Sequence, residues 1–314
     1  MHKMNNDSLI KRTKQLLKKE IYNPIFAEYL PPEYEVRWGA TKNAKFSRLF
    51  CPIRKWRDKR NFIRELKDTD VFIVGHPKSG NTWIAYMTAI LAFNDLNNEI
   101  TLANIGEFAP VIHGRDSHIR KKQNGGSIRI FRNEWPVYPE YYKKIIYLIR
   151  DPRAILVSYY HMFLTYFDKK NVNLRDFIEE YLAEGYIRSW EPLLRWDKQV
   201  LYWLKRAEND SRIMILKYED AVNDRKSVLS HIAKFAEIDV SDTLLDFAFN
   251  RGSFSSMRAD EDKHGAESYP GEIGNRGKFI RKGKTDGWKD EMSSDIISRI
   301  EQEMGSVMKR LGYV

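Results

Sequence analysis

The chain has 314 residues, of which 42% are hydrophobic and 31% charged. That balance supports a packed core and excludes a disordered chain, and no apolar run reaches the roughly 18 residues that a membrane-spanning helix needs. Lys and Arg exceed Asp and Glu by 53 to 43, a net charge of +10, which leaves nucleic acid, an anionic membrane surface or a polyanionic small ligand as partners.

Residues 1–20 place Leu9, Ile10, Leu16 and Leu17 among lysines, a spacing that predicts an amphipathic helix, either a cap over the core or a membrane-surface helix. This stretch lacks the apolar centre of a secretory signal. Pro24, Pro31, Pro32 and Pro52 interrupt the next fifty residues. Cys51 is the single cysteine, so no internal disulfide forms and a reducing, cytoplasmic location is expected. With no repeat and no low-complexity linker, residues 1–314 read as a single domain.

Val71–Val74, Lys144–Ile149 and Ile213–Leu216 are short apolar runs that predict buried strands. Helical spacing follows the first at Trp83, Met87, Ile90 and Leu91, and the second from Ala154 to Phe163. Strand, tight loop and helix in alternation predict an α/β domain with a central parallel sheet and helices on both faces. Ligands of such sheets bind at the carboxyl ends of the strands, which directs attention to the loops after Val74, Ile149 and Leu216. Basic residues recur there beside Gly, Ser and Pro, a pattern of separate phosphate contacts and not of a continuous nucleic-acid groove.

The first loop, "VFIVGHPKSGNTW" from Val71 to Trp83, spaces Gly75 and Gly80 as a P-loop does, with Thr82 in the hydroxyl position. Glycines let backbone N–H groups surround an oxyanion, and the helix beginning near Asn81 directs its positive end there. These three residues alone also fit a P-loop nucleotide kinase. The kinase lysine is missing, however. Asn81 stands in its place and Lys78 lies inside the loop, which suits a 5′-phosphate without a β,γ-phosphate chain.

"PKSGNTW" resembles the phosphosulfate loop "PKSGTTW" of the sulfotransferases that use 3′-phosphoadenosine-5′-phosphosulfate (PAPS). Two further segments are similar to that family in the same order: "RDPRAILVSYYHMF" (Arg150–Phe163) and "FIRKGKTDGWKD" (Phe279–Asp290), the latter with Asp286 and Gly287 exchanged. The three motifs, at 75–83, 150–163 and 279–290, imply a P-loop-like phosphosulfate-binding loop and sulfonate transfer from PAPS, leaving adenosine 3′,5′-bisphosphate. The resemblance implies that Lys78, Ser79, Gly80, Asn81 and Thr82 hold the 5′ end. It assigns the 3′-phosphate to Arg150, Ser158, Arg281, Lys282 and Gly283, and the adenine to Trp83, Tyr218 and Phe254, and places Met257 among the donor-binding residues. Lys78 is expected to stabilise the leaving phosphate electrostatically. No metal is required by this scheme.

The base departs from a common family pattern. Where many members carry "KTHLP", this chain has "RNEWP", which places Arg132 at the Lys position and Glu134 at the His position. Glu134 is therefore the expected base, with burial beside Trp135 raising its basicity. His113, His118 and His161 are rivals, His161 being expected to pack or bond within its helix. The expected acceptor is a small molecule with a hydroxyl or amine, and "PKSGNTW" looks more like bacterial than animal members. Candidates for its pocket are Phe108, Tyr166, Phe167, Tyr186, Trp190 and Tyr269, with Asp168, Glu191 and Glu261 supplying acids. The "KxxxTVxxxE" dimerisation pattern of some relatives is not found after Lys289.

Overall fold

The computed structural model describes residues 60–112, 128–134, 139–167, 172–184, 194–269 and 271–314. The N-terminal helix expected over 1–20, Cys51, His113, His118, Trp135, Asp168, Tyr186, Trp190 and Glu191 lie outside the described residues.

The three predicted strands form as β1 (Val71–Gly75), β3 (Lys144–Ile149) and β4 (Ile213–Lys217), and a fourth, β2 (Ile130–Asn133), joins them. All pairings are parallel, in the order β2-β1-β3-β4. Val71 pairs with Ile130 and Lys144, and Ile145 with Ile213. This register brings the carboxyl ends of all four strands to one edge. Side chains alternate between faces with the two-residue period of a strand. Phe72, Val74, Phe131, Ile145, Tyr147 and Ile149 enter one core, while Val71, Ile73, Ile130, Ile146 and Leu148 enter the other. Burial on both faces explains why the strands read as continuous apolar runs.

The helices, in chain order, are α1 (Asn81–Phe93), α2 (Ile105–Phe108), α3 (Pro152–Phe167), α4 (Leu174–Glu184), α5 (Trp196–Ala207), α6 (Tyr218–Asn223), α7 (Arg225–Ala236), α8 (Asp242–Arg251), α9 (Phe254–His264), α10 (Glu272–Arg276) and α11 (Ser294–Arg310). Residues of α3, α4, α5 and α11 build the first core; α1, α7 and α8 build the second. The result is one α/β domain with helices on both faces of a parallel sheet, as its alternating pattern predicts.

Local sequence sets several boundaries. Asn94, at φ 51°, ends α1 and returns its N–H to Ile90 and Leu91, a left-handed cap. Pro152 opens α3, where a missing N–H costs nothing. Ser241 and Ser253 cap α8 and α9 by accepting the N–H of Leu244 and Ser256. In α11, Ile296, Ile300, Met304 and Met308 recur every fourth residue and are buried, the stripe of an amphipathic helix.

At the opposite edge from the strand carboxyl ends, Asp70 and Arg129 form a buried pair. Arg129 donates to both carboxylate oxygens at 2.7 Å, and Lys67 N–H adds a third bond at 2.8 Å. The side chains are 1% and 7% exposed. Asp70→Ala leaves a buried guanidinium without its counter-charge, so a loss of about 3–5 kcal/mol in unfolding free energy is expected in urea titrations. Destabilisation below about 1 kcal/mol would show that water reaches the pair.

Candidate active site

The loop from His76 to Gly80 leaves β1 and turns directly into α1. Two residues adopt left-handed backbone: Lys78 at φ 70° and Gly80 at φ 102°. Gly80 is required on two counts, because a Cβ there would also lie 2.7 Å from the Tyr218 ring. Behind the loop, His76 is buried and donates its Nδ1 proton to the Pro77 carbonyl at 3.1 Å. Its Nε2 then accepts from Tyr181 Oη at 3.0 Å, and Tyr181 Oη accepts from Trp196 N–H at 2.9 Å. Burial, opposed by the Pro77 bond and by Asp197, lowers the His76 pKa to about 4. A neutral imidazole thus braces the loop.

A cavity of about 690 Å³ opens above β1 and β3. Of the residues proposed from sequence, it gathers Lys78, Gly80, Asn81, Thr82, Trp83, Arg132, Glu134, Arg150, Ser158, Tyr218, Phe254, Met257, Arg281, Lys282 and Gly283. Ser79 lies beneath the lining, fully buried, with an Oγ that has no hydrogen-bond partner among the described residues. Asn81 contributes to the loop in two ways. The carboxamide folds back on the strand, donating to Gly75 O at 3.1 Å, so what the residue offers an anion is its backbone N–H at the start of α1.

Arg150 links the two phosphate segments. Its Nη1 donates to Lys78 O at 3.0 Å, its guanidinium carbon stands 4.1 Å from the Tyr218 ring centre, and its Nε is buried without a partner among the described residues. Tyr218 meets Trp83 at 5.2 Å, and Trp83 Nε1 donates to Gly252 O at 2.8 Å. These rings and the exposed Phe254 provide flat apolar surface on one side of the cavity. Arg225, which carries no sequence signal, lines the same side, 5.6 Å from the Trp83 ring centre.

Lys78 Nζ lies 5.2 Å from the Phe279 ring centre. Burial lowers its pKa to about 8, against the opposing pull of Glu134 and with the help of Arg150 and Arg281. The ammonium therefore sits within the field of Glu134 and two guanidinium groups. Glu134 follows β2 directly, and Gln199 Nε2 holds its carbonyl at 3.1 Å. Arg132, one position into the same strand end, donates to Ala109 O at 2.5 Å, Thr82 Oγ1 at 3.2 Å and Glu267 Oε2 at 2.6 Å. Glu267 is a partner that sequence reasoning missed, because 135 residues separate it from Arg132 and nothing local marks it.

Arg281 and Lys282 converge on a further unanticipated acid. Glu291 accepts from Arg281 at 2.6 Å and lies 2.7 Å from Lys282 Nζ. It also meets His161 Nε2 at 2.5 Å. Burial acts to raise the Glu291 pKa, but the bonds from His161, Lys282 and Arg281 outweigh it and bring the value to about 2. His161 thus packs edge-on against its helix neighbour Tyr160, with ring centres 5.4 Å apart, in line with the packing alternative, while its Nε2 meets Glu291 from outside the helix.

The acceptor candidates divide. Tyr166 and Phe167 line the main cavity, and burial together with Glu134 and Glu267 raises the Tyr166 pKa. Tyr269 is buried against Tyr166 and Phe279 and faces a smaller adjoining cavity. Phe108 is a correction: it packs edge-on against Phe93 at 5.2 Å and lines a separate cavity with Asp95 and Glu99. Glu261 is another, since its carboxylate is engaged by the backbone of Phe279 and Ile280 and is not presented to an acceptor. Among the described residues no group of three or more His, Cys, Asp or Glu side chains could hold a metal ion. No helix among them is long and apolar enough to cross a membrane.

The family model described as "Sulfotransferase domain" matches residues 68–312. An amine sulfotransferase of Oryctolagus cuniculus is 28% identical over 258 residues, covering 78% of this chain and 82% of that protein. A 3-beta-hydroxysteroid sulfotransferase of Cavia porcellus is 27% identical, covering 83% and 89%. Among solved structures, retinol dehydratase in a complex with retinol and PAP aligns with a TM-score of 0.62 at 20% identity, over 82% of this chain and 86% of that one. A mouse sulfotransferase complexed with PAP aligns with a TM-score of 0.56 at 20% identity, over 78% and 86%.

Proposed function

Since this chain belongs to the sulfotransferase family and is a PAPS-dependent enzyme, we propose that it moves the sulfonate group to a hydroxyl or amine of a small molecule, with Lys78 and Glu134 as its catalytic residues. The observation that carries the residue roles is the convergence of Lys78, Arg150, Arg281 and Glu134 on one cavity. PAPS supplies an activated sulfonate on a phosphate leaving group and carries a second, 3′-phosphate. The residues present fit such a donor with two anionic ends. Ser79 Oγ and Arg150 Nε are buried polar atoms without partners among the described residues, and an orphaned buried donor is costly unless a ligand satisfies it.

The protein's part is electrostatic and positional. Lys78 holds a positive charge beside the 5′ end, where negative charge grows as the leaving group departs. The backbone N–H groups at the start of α1 add their dipole to the same place. Arg150 and Arg281 present planar forks suited to two-point phosphate contacts. Trp83, Tyr218 and Phe254 offer ring faces to the adenine. Glu134 accepts the proton of the attacking hydroxyl or amine, held by Gln199 through its carbonyl. Arg132 keeps Thr82 and Glu267 in register beside it.

The acceptor side carries Met162, Tyr166 and Phe167 near Glu134, an apolar wall with a carboxylate beside it. The related proteins bearing amine and hydroxysteroid names support an acceptor with a nucleophilic N or O on an apolar frame. Purified protein incubated with PAPS and a panel of amines, phenols and alcohols is expected to release adenosine 3′,5′-bisphosphate only with a suitable acceptor. Turnover of ATP with Mg²⁺ in place of PAPS would favour the kinase reading. The reading would fail if no member of a broad panel supported release.

A further inference from the structure

Residues 277–284 carry Arg281, Lys282 and Gly283, yet they form neither helix nor strand. A segment without a backbone ladder must find other partners for its buried N–H groups. One side chain supplies two of them. Glu261, in the last turns of α9, accepts the N–H of Phe279 at Oε1 (2.6 Å) and of Ile280 at Oε2 (2.8 Å). Its side chain is only 4% exposed. Arg258, three residues earlier, donates to Ile280 O, so the same helix holds both polar groups of that residue.

The consequence reaches the cavity. Phe279 stands over Lys78 Nζ and packs against Tyr269. The next residues are Arg281 and Lys282, whose side chains meet Glu291. Fixing two successive amides fixes the direction in which the chain enters these residues. Gly283 then turns at φ 64°, where a Cβ would lie 2.3 Å from Phe254. Charge-assisted bonds to a buried carboxylate are stronger than neutral ones, and a carboxamide cannot replace them. Its oxygen accepts one N–H, but its NH₂ faces the other donor to donor.

We propose that Glu261 is a positioning residue that holds segment 279–283 in the shape that receives the donor's 3′-phosphate. This rests on the reading of the cavity as a PAPS site. The test compares adenosine 3′,5′-bisphosphate with adenosine 5′-monophosphate, which lacks the 3′-phosphate, by calorimetric titration of the wild type, Glu261→Gln and Glu261→Asp. The glutamine variant is expected to bind the bisphosphate about tenfold or more weakly, with the monophosphate changed less than about twofold. The aspartate variant should fall between it and the wild type. Equal losses for both nucleotides, or no loss, would overturn the proposal. A wild type that binds neither nucleotide would instead overturn the PAPS reading. If the glutamine variant does not fold, hydrogen exchange of the wild type decides. Slow exchange at Phe279 and Ile280, slowed further by the bisphosphate and not by the monophosphate, supports the role, and rapid exchange at both amides overturns it.

Discussion

Lys78→Met is expected to lower kcat about 10²–10³-fold, the range measured when one preorganised donor to a developing anion is removed. The reason lies in where the ammonium is kept. Burial has already lowered its pKa to about 8, with Arg150 and Arg281 acting in the same direction and Glu134 opposing. A partly buried charge in the cavity wall acts on the leaving phosphate with less screening than one in open water. The sign of its pH dependence follows. Lys78 carries its proton below about pH 8 and loses it above, so kcat/KM for PAPS should fall as pH rises through about 8, since that ratio reports the free enzyme. In Lys78→Met this alkaline limb should vanish. Steady-state rates between pH 6 and 10 with a fixed acceptor measure both effects, and an unchanged limb in the variant would assign the titration to another group.

Glu134→Gln is the second large effect, with a loss in kcat of about 10²–10⁴-fold, as for removal of a general base. Bisphosphate affinity should remain within about threefold of the wild type, because the assigned donor contacts come from other residues. The variant also has a second readout, which tests the electrostatic coupling of Glu134 to Lys78 and not the base role itself. The Glu134 carboxylate raises the Lys78 pKa; without that charge the lysine titrates lower, and the alkaline limb moves below pH 8. Near-wild-type turnover with intact bisphosphate binding would remove Glu134 from the mechanism.

The parts of this molecule legible in sequence are those that local chemistry dictates. Val71–Val74, Lys144–Ile149 and Ile213–Leu216 are apolar because both sheet faces are covered, and such runs need no partner to be recognised. Gly75, Gly80 and Thr82 announce a phosphate loop by spacing alone, and the displaced Lys78 distinguishes it from a kinase loop. β2 was harder to see: it has four residues, and two of them, Arg132 and Asn133, are polar residues buried at its site end. Their burial is offset by Ala109, Thr82 and Glu267 for Arg132, none of which is near in sequence. The same reason hides Glu291 and Arg225. Each matters through what the fold brings to it, and a carboxylate one residue past a basic motif looks like ordinary solvated surface. Phe108 and Glu261 show the converse error. Residue type and neighbourhood suggested an acceptor pocket, while the packing of Phe93 and the amides of Phe279 and Ile280 determine where they point.

The positive φ of Lys78 bears on how far this protein can be stabilised. A non-glycine residue in left-handed backbone costs about 1–2 kcal/mol, and glycine would relieve it. A survey of substitutions scored on folding alone would therefore favour Lys78→Gly, discarding the residue on which turnover is expected to depend. On the proposed role of Lys78, resistance to heat and catalytic rate pull apart at position 78. Libraries built to raise melting temperature should hold it fixed and seek their gains in the helices of the two cores.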